Sequence, residues 1–154
     1  MSLLPRVGRI AGIDFGTVRI GVAVTDPNQT MASPLEIYHR KTPALEEAYF
    51  LNLTRREQLV GYVVGLPVHL DGNSSRISVL AEEFGKWLAL TTKVPVVWFD
   101  ERFTSHAASE LIAGAKLTSK RRKALLDKLA AQVLLSAFLD SPRDQPAAIK
   151  SIED

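Results

Sequence analysis

The 154-residue sequence contains no cysteine. That excludes disulfides, thiolate metal centres and a cysteine nucleophile in one step. It also lacks any apolar run near the roughly 20 residues a membrane-spanning helix needs. The opening Met1-Ser2-Leu3-Leu4-Pro5-Arg6 is too short and too weakly apolar to read as a secretory leader, so the expected compartment is the cytoplasm and no membrane partner is expected. Histidine is scarce: His39, His69 and His106 stand without metal-ligand spacing. Only His69, in a loop, is placed to act as a proton shuttle. Strong net charge is missing too, at +2.

What is present suffices for one core. Hydrophobic residues make up 46% of the chain, and a domain of this size buries roughly 70% of its unfolded surface. Residues 1–140 read as a single domain and 141–154, polar and proline-bearing, as a flexible carboxy-terminal tail. The positive charge is unevenly spread. Lys116, Lys120, Arg121, Arg122, Lys123 and Lys128 fall within thirteen positions, a cluster suited either to neutralising phosphates or to solvating a helix face.

Residues 7–15 and 18–26 are rich in β-branched and aliphatic side chains around Gly16-Thr17, which predicts two strands joined by a tight turn. A third strand covers Leu35 to His39. Thr42-Pro43 is an N-cap with proline at the first helical position, ahead of a helix reaching Arg56. The run Leu59 to Gly65 reads as a strand buried on both faces. Ser74 or Ser75 opens a second helix, Pro95 to Phe99 is a fifth strand, Thr104 or Ser105 caps a short helix, and Thr118 or Ser119 caps a long one reaching Leu139. The order βββαβαβαα predicts an α/β fold: a mixed five-stranded sheet, strands four and five on the first strand's side of an antiparallel meander, with helices on both faces. Sites in such sheets lie beyond the carboxyl ends of the parallel strands. Those ends carry Asp14, Gly65-Leu66-Pro67 and Asp100-Glu101.

Asp14 is a lone carboxylate near the end of an apolar strand, where aspartate is disfavoured. An ionised carboxylate there is costly unless a cation or a ligand's donors offset it; the other reading is a turn cap beside Gly16. Asp127 shares its helix face with Ala130, Ala131, Leu134 and Phe138, which turns its carboxylate toward the sheet unless it pairs with Lys123 or Lys128. Carboxylates converging from two strand ends and a helix would repel one another. Hard divalent cations, Mg²⁺ or Mn²⁺, resolve that conflict. A pair about 4 Å apart supports phosphodiester hydrolysis without any histidine, cysteine or serine nucleophile.

Taken together, Gly12-Ile13-Asp14-Phe15-Gly16-Thr17-Val18-Arg19-Ile20-Gly21-Val22-Ala23, Val64-Gly65-Leu66-Pro67 with Asp71-Gly72, Asp100-Glu101-Arg102-Phe103-Thr104 and Asp127-Lys128-Leu129-Ala130-Ala131 resemble the YqgF (RuvX) family. The resemblance runs from about Arg9 to Leu139. It implies a ribonuclease H-like fold and a metal-dependent endonuclease, first described as a Holliday junction resolvase and now more often as a pre-16S rRNA nuclease. The family's carboxylates map onto Asp14, the Asp100-Glu101 pair and Asp127, as catalytic residues and metal ligands together. Strand alternation sets Asp100 and Glu101 on opposite faces, so one of the two coordinates and the other meets a neighbouring loop. Val18 and Phe103 depart from the family pattern without touching the acidic set.

Arg102 either holds a phosphate or pairs with the adjacent carboxylates. Arg19, Asn73 and the basic Lys120, Arg121, Arg122 and Lys123 are the other candidate substrate contacts. The expected partner is structured RNA, the 5′ end of pre-16S rRNA during ribosome biogenesis, processed by a monomer or weak homodimer. The rival activity is cutting branched DNA as a junction resolvase in recombination and repair. A non-catalytic nucleic-acid-binding module is a third class, and the complete acidic set argues against it. Asp14-Phe15-Gly16-Thr17 also resembles the phosphate loop of actin-like and sugar-kinase ATPases. Those need two such domains, and this chain supplies one.

Overall fold

The computed structural model describes residues 4–67, 75–114, 116–143 and 149–151. Strands β1 (Arg9–Asp14), β2 (Arg19–Thr25) and β3 (Ala32–His39) form the expected meander. Helix α1 (Pro43–Arg56), strand β4 (Leu59–Leu66), helix α2 (Arg76–Thr92) and strand β5 (Val96–Asp100) follow. A single 3-10 turn, Glu101–Phe103, leads into α3 (Ser105–Leu111). Helices α4 (Ser119–Lys128) and α5 (Ala130–Asp140) come next, then a short strand β6 (Ile149–Ser151). The sheet order is β3-β2-β1-β4-β5-β6. β1 pairs antiparallel with β2 and parallel with β4, and β4 pairs parallel with β5.

The helix starts obey local chemistry. The Thr42 hydroxyl accepts from the Leu45 amide at 3.2 Å, with Pro43 supplying the first helical φ. Ser75 caps α2 through the Ser78 amide at 3.2 Å, and the Ser78 hydroxyl donates back to the Pro67 carbonyl. That last bond ties α2 to the end of β4. Thr118 caps α4 through the Arg121 amide.

Each sheet face buries its own core. On one face Ile10, Val63, Val97 and Phe99 pack with Leu134, Leu135 and Phe138 of α5. On the other, Ile13, Tyr62, Val64 and Trp98 pack with Phe50 and Leu53 of α1 and Ala81, Phe84 and Leu88 of α2. Glycine lets helices press onto strands. A Cβ on Gly12 would lie 2.9 Å from Leu135 Cβ and 3.1 Å from the Ala131 carbonyl oxygen. A Cβ on Gly85 would run into the Trp98 indole, whose Nε1 donates to the Ala81 carbonyl at 3.0 Å.

Two expectations need correction. The region beyond residue 140 was expected to be only a tail, yet Ile149–Ser151 pair antiparallel with β5 and give the sheet a sixth, edge strand. The long helix expected from Thr118 to Leu139 is two helices, parted at Leu129 (φ −104°, ψ 10°). The reason lies in their faces. α4 has no buried residue, and six of its ten positions are charged. α5 is apolar, with Ala131, Val133, Leu134, Leu135, Ala137 and Phe138 buried. α5 thus brings a broad apolar face to the sheet, whereas α4 packs on that core only through the partly buried Leu126.

Candidate active site

The site grows from β1, which lies inside the sheet between antiparallel β2 and parallel β4. Asp14 ends it, directly across from Gly21 of β2 and next to Gly65 of β4 by register. The Asp14 side chain points to the α5 face: its Cβ and Oδ2 lie 3.4 and 3.9 Å from where a Cβ on Gly21 would stand, beside Ala131 Cβ at 3.5 Å. A larger residue at position 21 or 131 would fill the space the carboxylate occupies.

Asp100 and Glu101 part ways. Asp100 ends β5 as a buried residue, 8% exposed, and its carboxylate is held by Arg102. The Arg102 amide donates to Oδ1 at 2.9 Å, Nε to Oδ2 at 2.9 Å and Nη2 to Oδ2 at 2.6 Å. Of the two readings open for Arg102, the geometry realises pairing with the adjacent carboxylate. Glu101, one residue on, turns to the α5 face. Its Oε1 lies 2.5 Å from the point a Cβ on Gly65 would take, with Leu134 Cδ2 3.3 Å from the same point. Since Gly65 neighbours Asp14 across the ladder, Glu101 and Asp14 share one side of the sheet.

Asp127 joins from α4. The sequence pattern sets it on a sheet-facing stripe with Ala130 and Ala131; in the structure it is exposed, yet it lines the same cleft as Ala131. It still meets Asp14. The two line one cleft of about 790 Å³ together with Thr17, Arg19, Lys128 and Gln132. Gln132 also donates to the Ala32 carbonyl at 3.2 Å, anchoring α5 across β3.

The electrostatics agree with that layout. Burial, then the Asp127 carboxylate, push Asp14 up from an ordinary 3.8 to about 6. Burial, then Asp14 and Asp100, push Glu101 up from 4.5 to about 7. Every contribution to these two shifts disfavours the ionised form. Asp14 is thus a hub, coupled to Asp127 on one side and Glu101 on the other. Among the described residues, no group of three or more histidine, aspartate or glutamate side chains stands close enough together to hold a metal ion as the side chains lie. The candidate donors are all carboxylate oxygens, half-buried at Asp14 and Glu101 and exposed at Asp127, and mutually repelling carboxylates are chemistry that fits a hard divalent cation.

The other candidates are more scattered. Arg19 is exposed at the start of β2 and lines the cleft. Lys120, Arg121, Arg122 and Lys123 are exposed on α4, the helix whose last turn brings Asp127 and Lys128 to the cleft. Asn73 and His69 lie outside the described residues, as do Asp71-Gly72 and Ser74. His106 pairs with Glu110 at 3.0 Å on the exposed side of α3. Sequence reasoning missed Gly21, Lys128 and Gln132 as parts of the site. A glycine interrupting β-branched Ile20 and Val22 was the signal for the first.

Comparison with known proteins decides the family. The family model described as RuvX: Holliday junction resolvase matches residues 8–141. This chain belongs to the RuvX family. A RuvX relative from Rhodopirellula baltica, described as a candidate pre-16S rRNA nuclease, is 47% identical over 139 residues, covering 90% of this chain and 80% of the relative. A relative of the same description from Rhodobacter capsulatus is 38% identical, covering 90% and 87%. Among solved structures, RuvC of Thermus thermophilus with a Holliday junction substrate aligns at TM-score 0.54 and 16% identity, over 94% of this chain and 99% of that one. The RuvX chain thus has the ribonuclease H-like α/β fold of RuvC, as the family resemblance implied.

Proposed function

We propose that this RuvX-family protein is a metal-dependent endonuclease that hydrolyses phosphodiester bonds in structured RNA, processing the 5′ end of pre-16S rRNA. One observation carries the reading: at the carboxyl end of the parallel strands Asp14 and Glu101 share one side of the sheet, and Asp14 lines a single cleft with Asp127. The names given to the relatives point to the same substrate. Asp14, Glu101 and Asp127 are the residues that would hold Mg²⁺ or Mn²⁺. Paired divalent cations, when bound, supply an activated water and charge stabilisation for the leaving oxygen.

The remaining roles fall to the chain's own groups. Asp100, held by Arg102, fixes the 3-10 turn that aims Glu101. Gly21 and Gly65 keep side chains out of the acidic pocket. Lys128 and Arg19 flank the cleft where a scissile phosphate would approach, and Lys120 to Lys123 extend positive charge along the adjoining helix. Among the described residues no helix is long and apolar enough to cross a membrane. The proposed setting is separate from that fact: ribosomal precursors in the cytoplasm, processed by a monomer or weak homodimer.

The test is cleavage of a precursor 16S rRNA end and of a four-way DNA junction, side by side, with Mg²⁺ and with Mn²⁺. Faster cutting of the RNA, abolished in Asp14→Asn and Asp127→Asn, is the expected result. Preferential cutting of the junction would instead support the resolvase reading that the family description favours. Undiminished cutting by Asp127→Asn would remove that residue from the site.

A further inference from the structure

The turn that carries Asp14 is gripped from the side of the sheet away from the cleft. Arg40, just past β3, donates its amide to the Val18 carbonyl at 2.9 Å. Its Nη1 donates to the Gly16 carbonyl at 3.0 Å, two residues beyond Asp14. The guanidinium carbon lies 5.0 Å from the centroid of the Phe15 ring, and that ring packs against Phe84 of α2 with centroids 5.1 Å apart. Both residues that follow Asp14 are therefore engaged by one side chain.

Arg40 is itself fixed. Its Nε and Nη2 donate to the two carboxylate oxygens of Glu46 at 2.8 and 2.9 Å. Glu46 is 8% exposed and sits in the first turn of α1, where the helix's positive end favours an anion. The planar fork spans a carboxylate, a carbonyl and an aromatic face together, which a lysine's point charge does not. With its charge met by Glu46, Arg40 is built to hold backbone more than to attract phosphate.

Building on the nuclease reading above, we infer that Arg40, locked by Glu46, is a positioning residue for Asp14: it fixes the Asp14-Phe15-Gly16 turn so that the carboxylate is presented to its metal. Loss of this grip leaves the groups that contact substrate intact and misplaces one metal-holding oxygen pair.

The test uses full-length Glu46→Gln and Arg40→Lys, with wild type and Asp14→Asn alongside, below the melting temperature of each. Cleavage of precursor rRNA gives kcat and KM, and paramagnetic resonance of free Mn²⁺ gives metal affinity without turnover. The expected result is a kcat lowered about tenfold or more with KM unchanged, together with weaker Mn²⁺ binding. Glu46→Gln, which preserves volume, keeps the test usable if Arg40→Lys does not fold. Unchanged kcat and unchanged Mn²⁺ affinity overturn the inference; so does a loss confined to KM, which would make Arg40 a substrate contact. If wild type fails to cut, or Asp14→Asn cuts equally well, the nuclease reading falls. The Mn²⁺ titration of the Arg40 and Glu46 variants then still decides whether this grip governs the Asp14 carboxylate.

Discussion

Two half-buried carboxyls with raised proton affinity should leave a signature in stability. For Asp14 and Glu101 the folded-state values, about 6 and about 7, lie above the ordinary 3.8 and 4.5. The folded state therefore binds more protons than the unfolded state between about pH 4 and 7, and stability falls as pH rises through that window. By linkage the metal-free protein is expected to lose about 2–3 kcal/mol per group across it, as an upper bound because the two are coupled. Urea unfolding should therefore find the metal-free protein more stable near pH 5 than near pH 8. Asp14→Asn should raise stability at pH 8 while leaving it little changed at pH 4. Adding Mn²⁺ should raise the melting temperature far more at pH 8 than at pH 5. A flat pH profile would contradict the repulsion on which the site is built.

Gly65 separates positioning from folding at the same scale. A Cβ there would meet the far end of the Glu101 side chain, which can swing aside, and the tip of Leu134 at 3.3 Å, which need yield only a few tenths of an ångström, and no backbone. Gly65→Ala is expected to leave the melting temperature nearly unchanged while lowering kcat about a hundredfold, since catalytic groups tolerate little displacement. Equal activity would mean that Glu101 does not work from its position over Gly65. The sequence alone left Asp100 and Glu101 unresolved, because strand alternation says only that they oppose each other. In the structure Gly65 makes room for Glu101 and Arg102 occupies Asp100, which supports Glu101 as the metal-holding member of the pair in the proposed site.

Among the elements, the first five strands and their order were legible because their cues are local: β-branched runs, the Thr42-Pro43 cap, and helices that force parallel crossovers between β1, β4 and β5. The break at Leu129 was not legible. Backbone bonding runs nearly unbroken through it, with the Leu129 amide on the Leu125 carbonyl and the Val133 amide on the Leu129 carbonyl. What changes is which helix the sheet can hold, a tertiary effect that a periodicity count cannot see. The Arg40 grip was equally hidden, since it joins residues far apart in sequence. The seating of α5 on β1 is open to a direct test. Gly12→Ala would place a methyl against Leu135 and the Ala131 carbonyl, and an overpacking cost of about 1–3 kcal/mol is expected in chemical denaturation. A neutral result would mean that the helix can ride outward freely.

For the whole molecule, charge is apportioned by region more than by sum. A net +2 says little, yet α4 gathers Lys120, Arg121, Arg122 and Lys123 on one exposed helix beside the cleft. Replacing these four with glutamine is expected to reduce the salt dependence of RNA binding by up to about 3–4 in the slope of log K against log salt. Filter binding in Ca²⁺ across a salt series would measure it, and kcat at saturating RNA should be little altered. An unchanged slope would detach α4 from the substrate path.

The acidic site is assembled from parts of unequal durability. Asp14 rides on a central strand flanked on both sides, whereas Asp127 rides on a helix with no buried residue of its own. Gentle warming should therefore extinguish cutting well before the tryptophan environment around Trp98 is disturbed. Such a protein would be reversibly inactivated while still intact, with the catalytic ceiling on its working temperature set by its most loosely attached helix.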